Sequence, residues 1–286
     1  MKDLKDKVVA ITGAGSGIGR AVAIAMANEG SVLAIADVNE AGLKGTVAQL
    51  PPGAVSSTHI VDVSNREQMH GYARDVVSNH GHVDIVINNA GVHLDTSLMA
   101  ARYEDLEWLF GINFWGIVYG SKEFLPYLMQ RPEANLCNMS SVHGLFTSPR
   151  IGPYCASKFA VRGFTLALAQ DLKGTPVNVS CIIPGGVKTN LVRSARYGTD
   201  TDLTFRLRRV AEFDRFIARL TPEKAARSIV KGIKRNHKRI LVGGQAHLAD
   251  VMSRLFPMAW QAAMGAGSGV PAGTPPPRPP VNAGRK

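Results

Sequence analysis

The stretch KVVAITGAGSGIG at residues 7–19 decides how the rest of the chain is read. Residues 7–12 form a short apolar, β-branched run. The turn Thr12-Gly13-Ala14-Gly15-Ser16-Gly17-Ile18-Gly19 follows and opens an Ala-rich helical stretch reaching Asn28. Glycines let a backbone turn tightly and approach a pyrophosphate closely, and a helix N-terminus offers free N–H groups and a positive dipole end. The spacing is T-G-x-x-x-G-x-G rather than G-x-G-x-x-G, so its weight comes from position. It lies between a strand and a helix, and Asp37 ends the next strand at 32–37 (VLAIAD).

Outward from there, strand and helix patterns alternate. Further strands are expected at 58–61, 84–88 (DIVIN), 135–140, 177–183 and 239–242, with long helices at 103–129 and 154–172. Ser64-x-x-Glu67 reads as a capping box opening a helix to about His80, and Thr221-Pro222-Glu223 as a second helix start. Near-continuous apolar strands separated by helices predict an α/β fold, a doubly wound, Rossmann-like parallel sheet covered on both faces. A single domain is expected over 1–245, followed by an amphipathic extension at 246–264 and a disordered Gly/Pro-rich tail at 265–286.

Composition narrows the function classes. Three cysteines, Cys137, Cys155 and Cys181, make no even framework, which fits a reduced, cytoplasmic protein. The charged start at Met1–Lys7 predicts no signal peptide, and no apolar run is long enough for a spanning helix. The net charge of +11 is placed unevenly: 15 Lys/Arg face 16 Asp/Glu over 1–189, against 18 and 6 over 190–286. No recognised nucleic-acid motif accompanies that basic block, so no nucleic-acid partner is expected. Beside it, Leu248, Val251, Met252, Leu255, Phe256, Ala259 and Trp260 make an apolar stripe at helical spacing. The stripe fits either packing against the protein's own pocket or a partner subunit, or peripheral contact with an anionic membrane.

Asp37 stands where a carboxylate can accept hydrogen bonds from adenosine ribose hydroxyls. It would repel a 2′-phosphate and Val38 offers no cation, so NAD is expected over NADP. Asp62, ending the third strand, could reach the adenine. Tyr154 and Lys158 are four apart and would be neighbours on one helix face. Ser141 lies just past the fifth strand, at the sheet edge where parallel α/β folds bind ligands. A hydroxyl and a Tyr–Lys pair there could share one substrate oxygen. Cys155 reads as packing, and His93 and His143 as either pocket or ordinary loop residues. No His/Cys/carboxylate cluster has metal-ligand spacing, so no metal is expected.

Together these residues resemble the short-chain dehydrogenase/reductase family over about residues 6–245. The matching motifs are Thr12–Gly19, Asp62-Val63, Asn88-Asn89-Ala90-Gly91, Asn113, Ser141, Tyr154/Lys158 and Pro184-Gly185 with Thr189. The resemblance implies Tyr154 as acid/base, Lys158 as holder of the nicotinamide ribose and depressor of the Tyr pKa, and Ser141 as polariser of the substrate oxygen. It implies Asn113 supporting a water relay behind Lys158. Gly13, Ser16, Gly17, Ile18, Gly19, Asp37, Asp62, Val63, Asn89, Ala90, Gly91, Tyr154, Lys158, Pro184, Gly185, Val187 and Thr189 are then the cofactor-binding set. Hydride transfer between NAD(H) and a secondary alcohol or ketone is the expected activity. An NADP-dependent reductase, an epimerase or dehydratase, and an NAD-sensing binding protein are the rivals on the same fold. The segment 189–221 is expected to cap the pocket as a loop mixing Leu191, Tyr197, Leu203, Phe205 and Phe213 with seven arginines, which suits a bulky apolar substrate with or without an acidic end. The long helices carry more apolar residues than one sheet face needs, and the resemblance implies that they pair between subunits, giving a homodimer or homotetramer.

Overall fold

The computed structural model describes residues 1–266. Its strands are β1 (Val8–Thr12), β2 (Val32–Asp37), β3 (Ser56–Ile60), β4 (Ile85–Asn88), β5 (Leu94–Asp95), β6 (Ala134–Met139), β7 (Val177–Pro184), β8 (Arg196–Tyr197) and β9 (Arg239–Val242). Seven form one sheet in the order β3-β2-β1-β4-β6-β7-β9, every pair parallel. The order reverses between β1 and β4, which opens the crevice where such sheets hold ligands. β5 and β8 pair separately beside that crevice.

Side chains alternate across the sheet, so each strand feeds two cores. Val9, Ile11, Leu33, Ile35 and Ile87 pack under α1 (Gly17–Asn28) and α8 (Pro222–Lys234). Val8, Ala10, Ala34 and Val86 pack under α3 (Arg66–His80) and, through Phe124 and Leu128, under α5 (Gly116–Leu128). A buried amide network ties the layers: Asn88 Nδ2 donates to Asn138 Oδ1 at 2.9 Å, and Asn138 Nδ2 to Thr165 Oγ1 at 3.2 Å. Gly120 allows α5 to approach Asn88, because a Cβ there would overlap the Asn88 amide.

Several expectations are corrected. The cap of α3 is Asn65, whose side chain accepts from Gln68 N; Ser64 instead donates its N–H and hydroxyl to Asp62 Oδ1. The 103–129 helix is three pieces: α4 (Tyr103–Phe110), a π-helical turn Gly111–Trp115, and α5. Two helices lie where none was expected, α2 (Glu40–Val47), capped by Asn39, and α7 (Leu203–Glu212), within the segment read as a loop. The 154–172 helix is α6 (Gly152–Asp171), and the Thr221 cap on α8 stands as expected, accepting from Lys224 N.

Beyond β9, α9 (Gly244–Leu255) and α10 (Pro257–Ala266) occupy the C-terminal stripe. It is not buried as one face. Trp260 packs on Phe146 with ring centroids 5.8 Å apart and Gln261 bonds the Thr147 backbone, while Leu248, Val251, Leu255, Phe256 and Met258 face outward. Helix α10 takes in Gly265 and Ala266, the first residues of the expected tail; the rest of that tail lies outside the described residues. Among the described residues no helix is long and apolar enough to cross a membrane.

Candidate active site

A cavity of about 1080 Å³ runs along the carboxyl ends of β1, β2, β4, β6 and β7. Every site residue expected from the sequence lines it except Asn113.

At one end the Gly-rich turn makes a cradle. Gly13 (φ +68°) and Gly17 (φ +54°) hold left-handed conformations that a side chain would strain. A Cβ on Gly13 would sit 2.7 Å from Ala90 Cα, and one on Gly19 would overlap the Gly13 carbonyl oxygen. Ser16 begins α1 without a side-chain cap bond, so the first N–H groups of the helix point unpaired toward the cavity end. Asp37 accepts from Gly15 N at 2.8 Å and Asn39 N at 2.9 Å, which fixes its carboxylate at the cavity wall with further lone pairs free. Arg20, the nearest cation to this turn in sequence, is drawn onto the carbonyl oxygens of Gly15 and Gly42 and onto Thr46 Oγ1. Free N–H groups, glycines that a Cβ would clash with, and a fixed carboxylate suit a dinucleotide, its pyrophosphate at the helix end and a ribose at Asp37.

At the other end Tyr154 and Lys158 share one face of α6, each under 5% exposed. Lys158 Nζ lies 5.8 Å from the Tyr154 ring centroid and donates to the Met139 carbonyl at 3.1 Å. Burial pushes the Tyr154 phenol up to about 12, with the neighbouring Ser141 hydroxyl working the other way. The same burial brings the Lys158 ammonium down to about 8. The depressed phenol implied by the resemblance is therefore absent from the chain by itself, because desolvation outweighs the Ser141 hydrogen bond. Ser141 lies two residues past β6 and accepts from His143 N at 3.1 Å, which positions its hydroxyl.

Asn113 stands behind this group rather than in it. It is fully buried in the π-helical turn; its Oδ1 accepts from Val92 N at 2.8 Å, and its Nδ2 donates to Val92 O at 3.0 Å and Ser157 Oγ at 3.2 Å. It thus clamps the 89–92 segment to α6 beside Lys158. π-turns inside helices often mark functional positions, because the extra residue re-aims a side chain.

Two residues left open by the sequence belong to the pocket. His93 and His143 line it, with ring centroids 4.5 and 6.1 Å from that of Tyr154. Of the cap residues named from the sequence, Leu191, Phe213 and two of the arginines, Arg208 and Arg209, line the cavity, whereas Tyr197, Leu203 and Phe205 do not; Phe216, on the π-turn after α7, was missed because the sequence shows no sign of that cap's helical form. Among the described residues no His/Cys/Asp/Glu group has the arrangement of a metal site. A neighbouring cleft of about 1220 Å³ between α1 and α8, which shares Gly17, Thr189 and Asn190 with this cavity, gathers Arg193, Arg227, Lys231, Lys234 and Arg235, much of the excess charge.

The model of the short chain dehydrogenase family matches residues 7–200. The SadH protein of Mycobacterium tuberculosis (strain ATCC 25618 / H37Rv) is 40% identical over 273 residues, 93% of this chain and 97% of its own length. Estradiol 17-beta-dehydrogenase 11 of Rattus norvegicus is 32% identical over 90% of this chain and 82% of its own. A short-chain dehydrogenase/reductase from Burkholderia phymatum, solved in complex with NAD, superimposes with a TM-score of 0.82 at 31% identity, covering 89% of this chain and 95% of that one.

Proposed function

The chain belongs to the short-chain dehydrogenase family, and on that premise we propose that it moves a hydride between NAD(H) and a bulky, apolar secondary alcohol or ketone. The observation that carries this reading is a single cavity with a glycine cradle at one end and buried Tyr154, Lys158 and Ser141 at the other. A bound nicotinamide supplies the hydride chemistry. Tyr154 gives or takes the proton at its hydroxyl, Ser141 orients the substrate oxygen, and Lys158 holds the cofactor ribose. Asn113 positions Lys158 through the 89–92 segment. With its phenol held protonated by burial, Tyr154 in the chain alone is set to donate, the role that ketone reduction asks of it. Val142, Ile151, Leu191, Phe213 and Phe216 give the substrate end an apolar wall. The relative named for estradiol supports a substrate of that size and character. NADH formation or consumption across a panel of alcohols and ketones tests the reading. Bound but unreacted NADH with every member would favour a binding protein, and turnover without net NADH change an epimerase or dehydratase.

NAD is proposed over NADP because Asp37 is fixed at the cavity wall as an acceptor for ribose hydroxyls and would repel a 2′-phosphate, while Arg20 is engaged by the Gly15 and Gly42 carbonyl oxygens. Replacing Asp37 with Ser and Val38 with Arg exchanges a repulsive carboxylate for a phosphate partner, so the ratio of kcat/KM values is expected to swing toward NADP. A wild-type protein that already prefers NADPH would overturn the assignment.

Assembly is proposed through the long helices. Trp115, Met129, Phe159 and Leu166 are exposed, and Trp115 stacks on Tyr119 with ring centroids 5.9 Å apart, which leaves an aromatic surface uncovered. Light scattering at micromolar concentration is expected to give a dimer or tetramer; a monomer mass would count against it.

A further inference from the structure

His93 follows the Asn89–Gly91 turn and is fixed on both sides: its carbonyl accepts from Arg196 N at 3.0 Å, and β5 begins at the next residue. Its ring lies almost along Tyr154, 36° from parallel. The Nδ1 atom is sealed from solvent and has no hydrogen-bond partner, whereas Nε2 is not among the sealed, unpartnered atoms of this cavity-lining residue. Buried N–H groups without a partner are rarer than buried acceptors without one, so the proton belongs on Nε2 and Nδ1 is the bare nitrogen. Burial, and then the charges of His143, Arg209 and Lys158, bring His93 down to about 3, which keeps the ring neutral. The cavity therefore holds an unused neutral N–H donor beside the phenol.

The charge of the cap bears on what that donor meets. Arg209 is paired with Asp95 at 3.2 Å and Arg208 with Glu212 at 2.8 Å, all four lining the cavity. Asp95 is shared with Arg150, which pairs in turn with Asp200 at 2.9 Å, so three arginines face three carboxylates and offer no uncompensated charge to an acidic substrate.

Resting on the proposed ketone/alcohol chemistry, we propose that His93 is a specificity-determining donor that selects neutral substrates carrying a second oxygen acceptor close to the reacting carbon. Vicinal diketones and α-hydroxyketones have that form: one oxygen meets Tyr154 and Ser141, the other the His93 N–H. A simple ketone would leave this donor unpaired in a desolvated site, and sites built to hydrogen-bond a group discriminate strongly against analogues that lack it.

The test compares cyclohexane-1,2-dione with cyclohexanone as probes, in NADH-linked assays on the full chain. The greater intrinsic reactivity of the dione cancels when the same pair is run on each variant. His93→Phe keeps a ring against Tyr154 and removes the donor; it is expected to lower the dione-to-monoketone ratio of kcat/KM about tenfold, the size of one buried hydrogen bond. His93→Asn, which restores an N–H, is expected to recover part of that ratio. An unchanged ratio in His93→Phe, or equal losses on both probes in both variants, would overturn the proposal while leaving the parent reading intact. Wild-type protein that binds NADH but reduces neither probe nor any other ketone would overturn both.

Discussion

Tyr154→Phe is expected to lower turnover at least ~10²-fold, the range for a general acid–base group, while NADH binding survives. The phenol is the only hydroxyl on α6 that faces the cavity beside Lys158, and its ring packs against those of His93 and His143. Removing one oxygen from a ring so placed leaves the packing in place and takes away the proton donor. The cradle at Gly13–Gly19 lies at the other end of the cavity and touches none of this, so cofactor affinity read by fluorescence titration should change little. Turnover within a few-fold of wild type would show that the proton travels by another group. Parallel loss of NADH affinity and thermal stability would show instead that the hydroxyl is structural.

Much of this arrangement was legible in the sequence because the strands report burial directly. β2 and β9 fall on the residues expected, since short apolar runs between turn residues leave little choice of register. The elements that escaped did so for identifiable reasons. Helix α2 carries Gly42 and Gly45, residues that lower helix propensity, yet Gly42 is where the helix meets the Gly-rich turn: a Cβ there would lie 2.9 Å from Gly15 O. Helix α7 has no fully buried residue, so its pattern of arginines and isolated apolar positions resembled a solvated loop. Asn65 displaced Ser64 as the α3 cap because Asp62 had already taken the serine's N–H and hydroxyl, a competition that composition does not rank. At the C-terminus the helical period was correct, but period gives no direction. Buried Ala246, Ala249 and Asp250 on α9 and the contacts of Trp260 on α10 show which side turns inward, and most of the stripe does not follow it.

Lys158→Met is expected to abolish most turnover and yet to raise thermal stability at pH 7. The ammonium is desolvated on α6, and its pKa falls from 10.5 to about 8 because burial disfavours the charged form. The sign follows from linkage: between about pH 8 and 10.5 the unfolded chain binds more protons at this position than the folded one. Wild-type stability gained from Lys158 therefore rises with pH through that window, and below it the whole penalty of a buried charge is present. That penalty is on the order of 3 kcal/mol. Loss of the hydrogen bond to the Met139 carbonyl returns about 1 kcal/mol of it, which leaves the methionine variant ahead by roughly 2 kcal/mol near neutrality. Scanning calorimetry of both proteins from pH 6 to 10.5 should show a melting temperature several degrees higher for the variant at pH 7, with the gap narrowing above pH 8. A variant that melts lower at pH 7, with a gap independent of pH, would mean that Lys158 holds the fold together. A stabilised, inactive variant would identify the ammonium as a group kept for its place beside the cofactor and Tyr154 despite its cost to the fold.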